Sequence, residues 1–308
     1  MRNEFAKTIT ELSKKKKDLV LLAGDIGNKL FDNFKRDYPN RFYNCGVAEA
    51  NMTGVASGLA SSGLRPVTYT ITPFNTARCF EQLKIDICYP NLPVIIVGTG
   101  SGLSYASLGA THHSMEDIAI LKTLPNLQII CPADRKEVRE ALIKAYESKK
   151  PTYIRLGKKG EPNIHKFKPK FEIGKSIILK KGAEVALLGV GNALSIASEC
   201  EQFLKKNKIH SDLISFHTPK PIDKKLLKKL CKLNKLIVVI EEHNLLGGVG
   251  SSILEWANQY NYETKKILRF GGPDKFLTGC GNQKEARFKI GLSVKSICKK
   301  IIIKLNKK

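Results

Sequence analysis

The chain has 308 residues, 42% of them hydrophobic, which suits two domains with ample core and excludes a disordered-chain composition. Its formal charge of +24 comes mostly from lysines in short clusters (Lys14 to Lys17, Lys205/Lys206, Lys224/Lys225, Lys228/Lys229, Lys299/Lys300, Lys307/Lys308). These lie on the polar faces of helical patterns without interleaved aromatics, so they predict a solvated surface that attracts small anions and no nucleic-acid interface.

The N-terminal segment MRNEFAKTITELSKKKK has an amphipathic helix pattern. It lacks the continuous apolar core of a secretion signal, which points to the cytoplasm. No run of eighteen apolar residues occurs, so no membrane partner is expected. Asp18 to Ala23 is a short apolar strand that ends at Gly24-Asp25. From Met52, apolar residues at Met52, Val55, Ala56 and Leu59 have the spacing of a helix buried on one face. Gly54 and Gly58 leave room there for a close neighbour. Arg65 to Ile71 is a strand, Thr76 to Tyr89 a helix, and Leu92 to Val97 a strand running into the glycine-rich loop Gly98 to Gly109. Met115 to Thr123 reads as a helix, Leu127 to Cys131 as a strand, Lys136 to Ser148 as a helix and Pro151 to Leu156 as a strand. Apolar strands alternating with helices imply an α/β fold with a mostly parallel sheet covered on both faces.

Gly157 to Lys170 is rich in proline, glycine and lysine and has no periodicity, as expected of a linker. The domains are then 1–160 and 173–308, with 161–172 between them. The second is again α/β: strand Glu184 to Gly189, helix Leu194 to Asn207, strand Ser211 to Ser215, helix Lys224 to Cys231, strand Lys235 to Glu241, and a helix after Gly250. The eight cysteines are scattered and form no CxxC pair, so buried thiols are expected, with neither a zinc site nor a disulfide framework.

Glu49 stands out because its flanks, Cys45-Gly46-Val47-Ala48 and Ala50, are residue types not expected at a surface. A buried acid is costly unless paired; burial raises its pKa and fits it to share a proton with a ring nitrogen. Gly109-Ala110-Thr111-His112-His113-Ser114 closes a loop after a parallel strand, the edge where such sheets bind ligands. His112 suits hydrogen bonding to an oxygen or proton transfer. Adjacent histidines point apart, which argues against a metal. Phe74, at a strand-to-helix turn, either fills the core or offers a ring face for a flat heterocycle, and Arg78 follows one turn later. In Glu241-Glu242-His243-Asn244-Leu245-Leu246-Gly247-Gly248-Val249-Gly250, the glycine spacing fits no phosphate-loop pattern and predicts a tight strand-to-helix turn.

FYNCGVAEANMTGVASGLA, PFNTARCFEQL, GATHHSMEDIAILKTLPNLQIICPAD, PTYIRLG, HTPKPID and EEHNLLGGVGSSI occur in that order. From about Arg2 to Leu292 they resemble the C-terminal half of transketolase, a thiamine-diphosphate enzyme: its pyrimidine-binding domain, then its C-terminal domain. The resemblance implies that Glu49 bonds N1′ of the cofactor's aminopyrimidine and so favours the tautomer whose 4′-nitrogen takes the thiazolium C2 proton. It implies that Phe74 stacks on the pyrimidine, that Asp25 and Arg78 lie near the cofactor, and that His112 and His113 face the donor sugar. Arg155 or Lys158 would hold a substrate phosphate.

Two departures matter. The family's GDG…N segment, which binds Mg2+ and the diphosphate, does not occur; Gly24-Asp25-Ile26-Gly27-Asn28 is a near miss in another place. A whole transketolase is also about twice as long. The resemblance therefore implies a subunit of a split enzyme, active in an α2β2 assembly with an N-terminal transketolase subunit that holds the metal. The loop Ser104 to Gly109 lacks the family's acid, and Gly100 replaces a sugar-binding histidine, which puts ordinary pentose-phosphate specificity in question. The β subunit of a 2-oxo acid dehydrogenase shares both domains, and 1-deoxyxylulose-5-phosphate synthase is a further relative. A non-catalytic basic binding protein is the alternative from another class.

Overall fold

A computed structural model describes residues 1–306; Lys307 and Lys308, the last lysine cluster, lie outside the described residues. The amphipathic start folds as helix α1 (Arg2–Lys15), which buries Phe5 and Ile9 against the first sheet. That sheet contains β1 (Leu19–Ala23), β2 (Phe42–Asn44), β3 (Arg65–Ile71), β4 (Ile95–Thr99), β5 (Gln128–Ile130) and β6 (Thr152–Arg155). Their order is β2-β1-β3-β4-β6-β5, and every neighbouring pair is parallel. All six carboxyl ends therefore share one edge. The helices along this half are α2 (Asp32–Asp37), α3 (Glu49–Ser61), α4 (Phe80–Gln82), α5 (Asp117–Leu121) and α6 (Arg135–Ser148).

The second sheet holds β7 (Ile177–Lys180), β8 (Val185–Val190), β9 (Ser211–Ser215), β10 (Leu236–Asn244) and β11 (Ile267–Gly272), in the order β11-β10-β8-β9-β7. It is parallel except for β7, which runs antiparallel to β9. Its helices are α7 (Leu194–Lys206), α8 (Lys224–Leu233), α9 (Val249–Gln259), α10 (Gln283–Lys289) and α11 (Val294–Asn306). One apolar cluster joins the halves: Cys131 and Tyr153 from the first sheet pack in the same core as Leu188 and Ile214 from the second. The cysteines are free among the described residues. No helix of the described residues is long and apolar enough to cross a membrane.

Three expected elements start two or more residues late, each for a local reason. The helix expected from Thr76 begins at Phe80, then passes into a π-helical turn, Leu83–Cys88. Upstream, Thr76 Oγ1 donates to Thr72 O at 2.7 Å and Asn75 Nδ2 to Val97 O at 3.0 Å, so side chains satisfy the backbone in a turn. The strand expected from Leu92 starts at Ile95, because Pro93 has no N–H for a ladder. The helix expected from Met115 starts at Asp117, because Met115 O accepts from Asn244 N at 2.8 Å and is drawn to the second sheet. On α3 the buried face is Glu49, Met52, Thr53, Ala56 and Ala60; Val55, expected inside, is exposed.

Candidate functional site

Glu49 opens α3 and is 1% exposed. Gly24, just past β1, permits this packing: a Cβ there would lie 3.4 Å from Glu49 Cγ and 3.1 Å from Thr70. Thr70 Oγ1 donates to Glu49 Oε1 at 3.5 Å, and Arg78 Nη1 donates to Glu49 Oε2 at 2.7 Å. The Arg78 guanidinium also lies over the Phe74 ring, 4.3 Å from its centroid. Phe74 meets the His112 ring edge-on at 5.3 Å. His112 meets Tyr105 at 5.9 Å, and Lys158 Nζ sits 4.3 Å over the Tyr105 ring. Glu49, Arg78, Phe74, His112, Tyr105 and Lys158 thus form one continuous line of contacts at the carboxyl edge of the first sheet.

The loop that carries His112 is shaped by glycine. Gly100 has φ +74°, and a Cβ there would lie 1.9 Å from the Tyr105 ring. The departure at this position is therefore coupled to Tyr105, which fills the space a larger residue would need. In the sequence Tyr105 is only one residue of an acid-free loop; Gly100 is the signal that could have found it. His112 Nδ1 is 2.9 Å from Thr111 Oγ1. Partial burial, and secondarily the neighbouring His113, pull its pKa below the usual histidine value and favour the neutral ring. Burial, then Lys159 and Arg2, likewise lower the pKa of Lys158.

Two expected substrate residues point elsewhere. Arg155 is 3% exposed, and its guanidinium is held along the Nε and Nη2 edge. Its Nε donates to Asp117 Oδ2 at 2.7 Å, and its Nη2 donates to Asp117 Oδ1, Ser114 O and Glu242 O at 3.1, 2.9 and 3.0 Å. Burial alone would raise the Asp117 pKa, but the Arg155 charge and hydrogen bonds outweigh it and hold the carboxyl below its usual range. Arg155 is thus a buried tie between the two halves, with Nε and Nη2 committed to protein partners. His113 is 6% exposed, turns away from His112, and places Nε2 3.1 Å from Ala106 O. It lines a cleft of about 480 Å³ on the far side of the loop. Asp25 stands at the site edge but is tied sideways: its N donates to Asn44 Oδ1 at 3.2 Å, and its Oδ1 accepts from Asn44 Nδ2 at 3.0 Å.

The glycine turn before α9 already has an anion at its helix N-terminus. Val249 N and Gly250 N donate to the Glu241 carboxylate at 2.7 and 2.9 Å. Gly248 and Gly250 are close-packing positions: a Cβ at either would lie 2.6 or 3.2 Å from that carboxylate. The turn is structural, as its spacing predicts. Among the described residues no group of three or more His, Cys, Asp or Glu is arranged to hold a metal.

Glu49 and Phe74 grip a planar cation, the Arg78 guanidinium, by carboxylate hydrogen bond and ring face. The same pair of groups fits an aminopyrimidine, which is also flat and hydrogen-bonding. His112, on a partly exposed loop, faces the space beside that ring.

Comparison with known proteins gives two family matches: the transketolase pyrimidine-binding domain over residues 1–161 and the transketolase C-terminal domain over residues 174–297. A putative transketolase C-terminal section from Methanocaldococcus jannaschii is 34% identical over 100% of this chain and 96% of its own length. One subunit of an apulose-4-phosphate transketolase from Phocaeicola vulgatus is 30% identical over 97% of this chain and 95% of its own length. A 1-deoxy-D-xylulose-5-phosphate synthase from Desulfotalea psychrophila is 33% identical over 89% of this chain but only 43% of its own length. A solved structure described as a split gene transketolase, inactive β4 tetramer, superimposes with a TM-score of 0.89 at 31% identity, covering 99% of this chain and 97% of that one.

Proposed function

Because this chain belongs to the transketolase family, we propose that it is the C-terminal subunit of a split, thiamine-diphosphate-dependent transketolase that moves a two-carbon ketol unit between sugar phosphates. The observation that carries this is Glu49, buried and paired beside the Phe74 ring in a chain that aligns end to end with a transketolase C-terminal section and with a transketolase subunit. The chain spans less than half of the single-chain 1-deoxy-D-xylulose-5-phosphate synthase it matches, which favours the split reading. The domains on this reading are 1–160 and 173–308, joined by 161–172.

Thiamine diphosphate, when bound, supplies a thiazolium carbon that becomes nucleophilic on losing its proton. Glu49 holds a proton at the pyrimidine N1′, and its burial keeps water from competing for that bond. Phe74 carries the pyrimidine on its face, and Asp25 and Arg78 border it. His112 donates to an oxygen of the donor sugar, and its lowered pKa keeps the ring uncharged near neutral pH, able to donate a hydrogen bond and to take up a proton. Lys158 meets the substrate phosphate, a role it fills more readily than the buried Arg155.

An N-terminal partner would supply the Mg2+ and diphosphate site in an α2β2 assembly. Exposed apolar side chains near Glu49 support a partner surface: Tyr43 and Val47 before α3, Val55 on it, and Ile85 and Tyr89 on the next helical turns. A Cβ at Gly54 or Gly58 would meet nothing within 4 Å in this chain, leaving room for another backbone.

The test is reconstitution with the N-terminal partner. The complex is expected to exchange the C2 proton of thiamine diphosphate for deuterium, and Glu49→Gln to abolish that exchange. Unchanged exchange would remove Glu49 from the mechanism, and tight Mg2+-dependent cofactor binding by the isolated chain would overturn the split arrangement.

A further inference from the structure

Residues 102–114 form a closed loop on which Tyr105, His112 and His113 lie. Its base is pinned where Gly102 N donates to Ser114 O at 3.1 Å and Ser114 N to Gly102 O at 2.9 Å. The loop belongs to the edge of the first sheet, yet one of its feet is gripped by a side chain of the second, and the other is linked to the same residue's backbone through Arg155. Glu242, in β10, is 0% exposed. Its carboxylate accepts from Leu103 N at 2.6 Å, from Gln283 Nε2 at 2.8 and 3.1 Å, and from Arg287 Nε. Its backbone carbonyl accepts from Arg155 Nη2, which also donates to Ser114 O. Gly102 allows the approach, since a Cβ there would lie 2.6 Å from Glu242 Oε1.

A buried carboxylate is a poor way merely to join two domains, because an apolar contact of equal volume costs less desolvation. What it adds is direction. Leu103 N fixes one side of the acid, and Arg287 and Gln283 fix the other, so the loop takes its position from the second domain. We propose that Glu242 is a positioning residue for ketol transfer: it sets the 102–114 loop and so the reach of His112 toward the donor sugar. The proposal rests on the function assigned above. Glu242 touches neither Glu49 nor Phe74, so substrate handling responds to it more directly than cofactor activation.

The experiment uses the complete complex carrying Glu242→Ala or Glu242→Gln, with hydroxypyruvate as donor and glycolaldehyde as acceptor. For Glu242→Ala, kcat/KM for transfer is expected to fall about 100-fold, the scale of a misplacement of about 1 Å in a substrate-positioning group. C2 exchange of the bound cofactor stays within about two-fold of wild type. Amide hydrogen exchange should quicken in 102–114 and stay unchanged in β1 and α3. Glu242→Gln, which keeps an acceptor for Leu103 N, is expected to recover part of the transfer rate, and it decides the matter if Glu242→Ala does not fold. A parallel fall of exchange and transfer would reduce Glu242 to a structural staple; loop amides that quicken while transfer is untouched would also overturn the proposal. A wild-type complex without C2 exchange would overturn the assigned function instead, and the loop amides alone would still test whether Glu242 sets the loop.

Discussion

The bond between Arg78 Nη1 and Glu49 Oε2 joins unequal partners: the acid side chain is 1% exposed and the arginine side chain 45%. Removing the partner of a buried carboxylate costs several kcal/mol, less here because water can reach the half-exposed side. Arg78→Met is expected to destabilise the isolated chain by about 1–2 kcal/mol, read by urea denaturation. A variant as stable as wild type would mean that Thr70 and solvent suffice for Glu49. The geometry also sets up a competition, since a guanidinium and an aminopyrimidine seek the same carboxylate and the same ring face. Arg78 can yield by rotating outward, which its exposure permits. Glu49 was legible in the sequence because an acid among small apolar residues predicts burial, which holds for Glu49 itself although Val47 and Ala48 beside it are exposed. Arg155 was not: nothing in TYIRLGK shows that its partner is Asp117, 38 residues earlier in the chain.

At the scale of elements, α9 shows how one buried acid fixes a helix start. Glu241→Ala would strand the Val249 and Gly250 N–H groups at a helix N-terminus and is expected to cost about 2–4 kcal/mol. Thermal or urea unfolding measures this, and a loss under about 0.5 kcal/mol would mean that the turn is capped by other means. The buried strands β1, β8 and β9 were readable because they are short apolar runs bounded by turns, buried at every position. β2 and β7 were not, being three or four residues long and partly exposed. α11 hides its core residues Ile297, Cys298 and Ile301 among lysines, of which only Lys299/Lys300 reads in the sequence as a helical polar face, with no bounds set for the helix. The clamp at Glu242 was beyond sequence reasoning altogether, because its partners Leu103, Gln283 and Arg287 meet only in the folded chain.

At the scale of the whole molecule, a polar cluster joins the connecting segment to both halves. His165 pairs with Asp134 at 3.1 Å and faces Glu137 at 3.3 Å, while Phe171 stacks on His217 at 4.0 Å. Burial pushes the Glu137 pKa up from 4.5 to about 7 and pulls His217 down from 6.5 to about 3. The folded chain therefore holds the Glu137 proton where the unfolded chain has released it, so this group's contribution to stability falls as pH rises from 4.5 to about 7. His217 acts in the opposite sense, and its contribution falls as pH drops from 6.5 toward about 3. Glu137→Gln is expected to gain on wild type between about pH 5 and about pH 8, by up to roughly 3 kcal/mol, in denaturation at both pH values. Parallel curves for the two proteins would show that Glu137 does not titrate there. The two sheets have also divided their labour. Both are α/β units, but in the second the first amides of α9 are already satisfied from within: Glu241 accepts from Val249 N and Gly250 N. A helix start closed in this way offers neither of those amides to an outside anion, and its rigidity passes through β10, which carries both Glu241 and Glu242, to the loop of the neighbouring sheet.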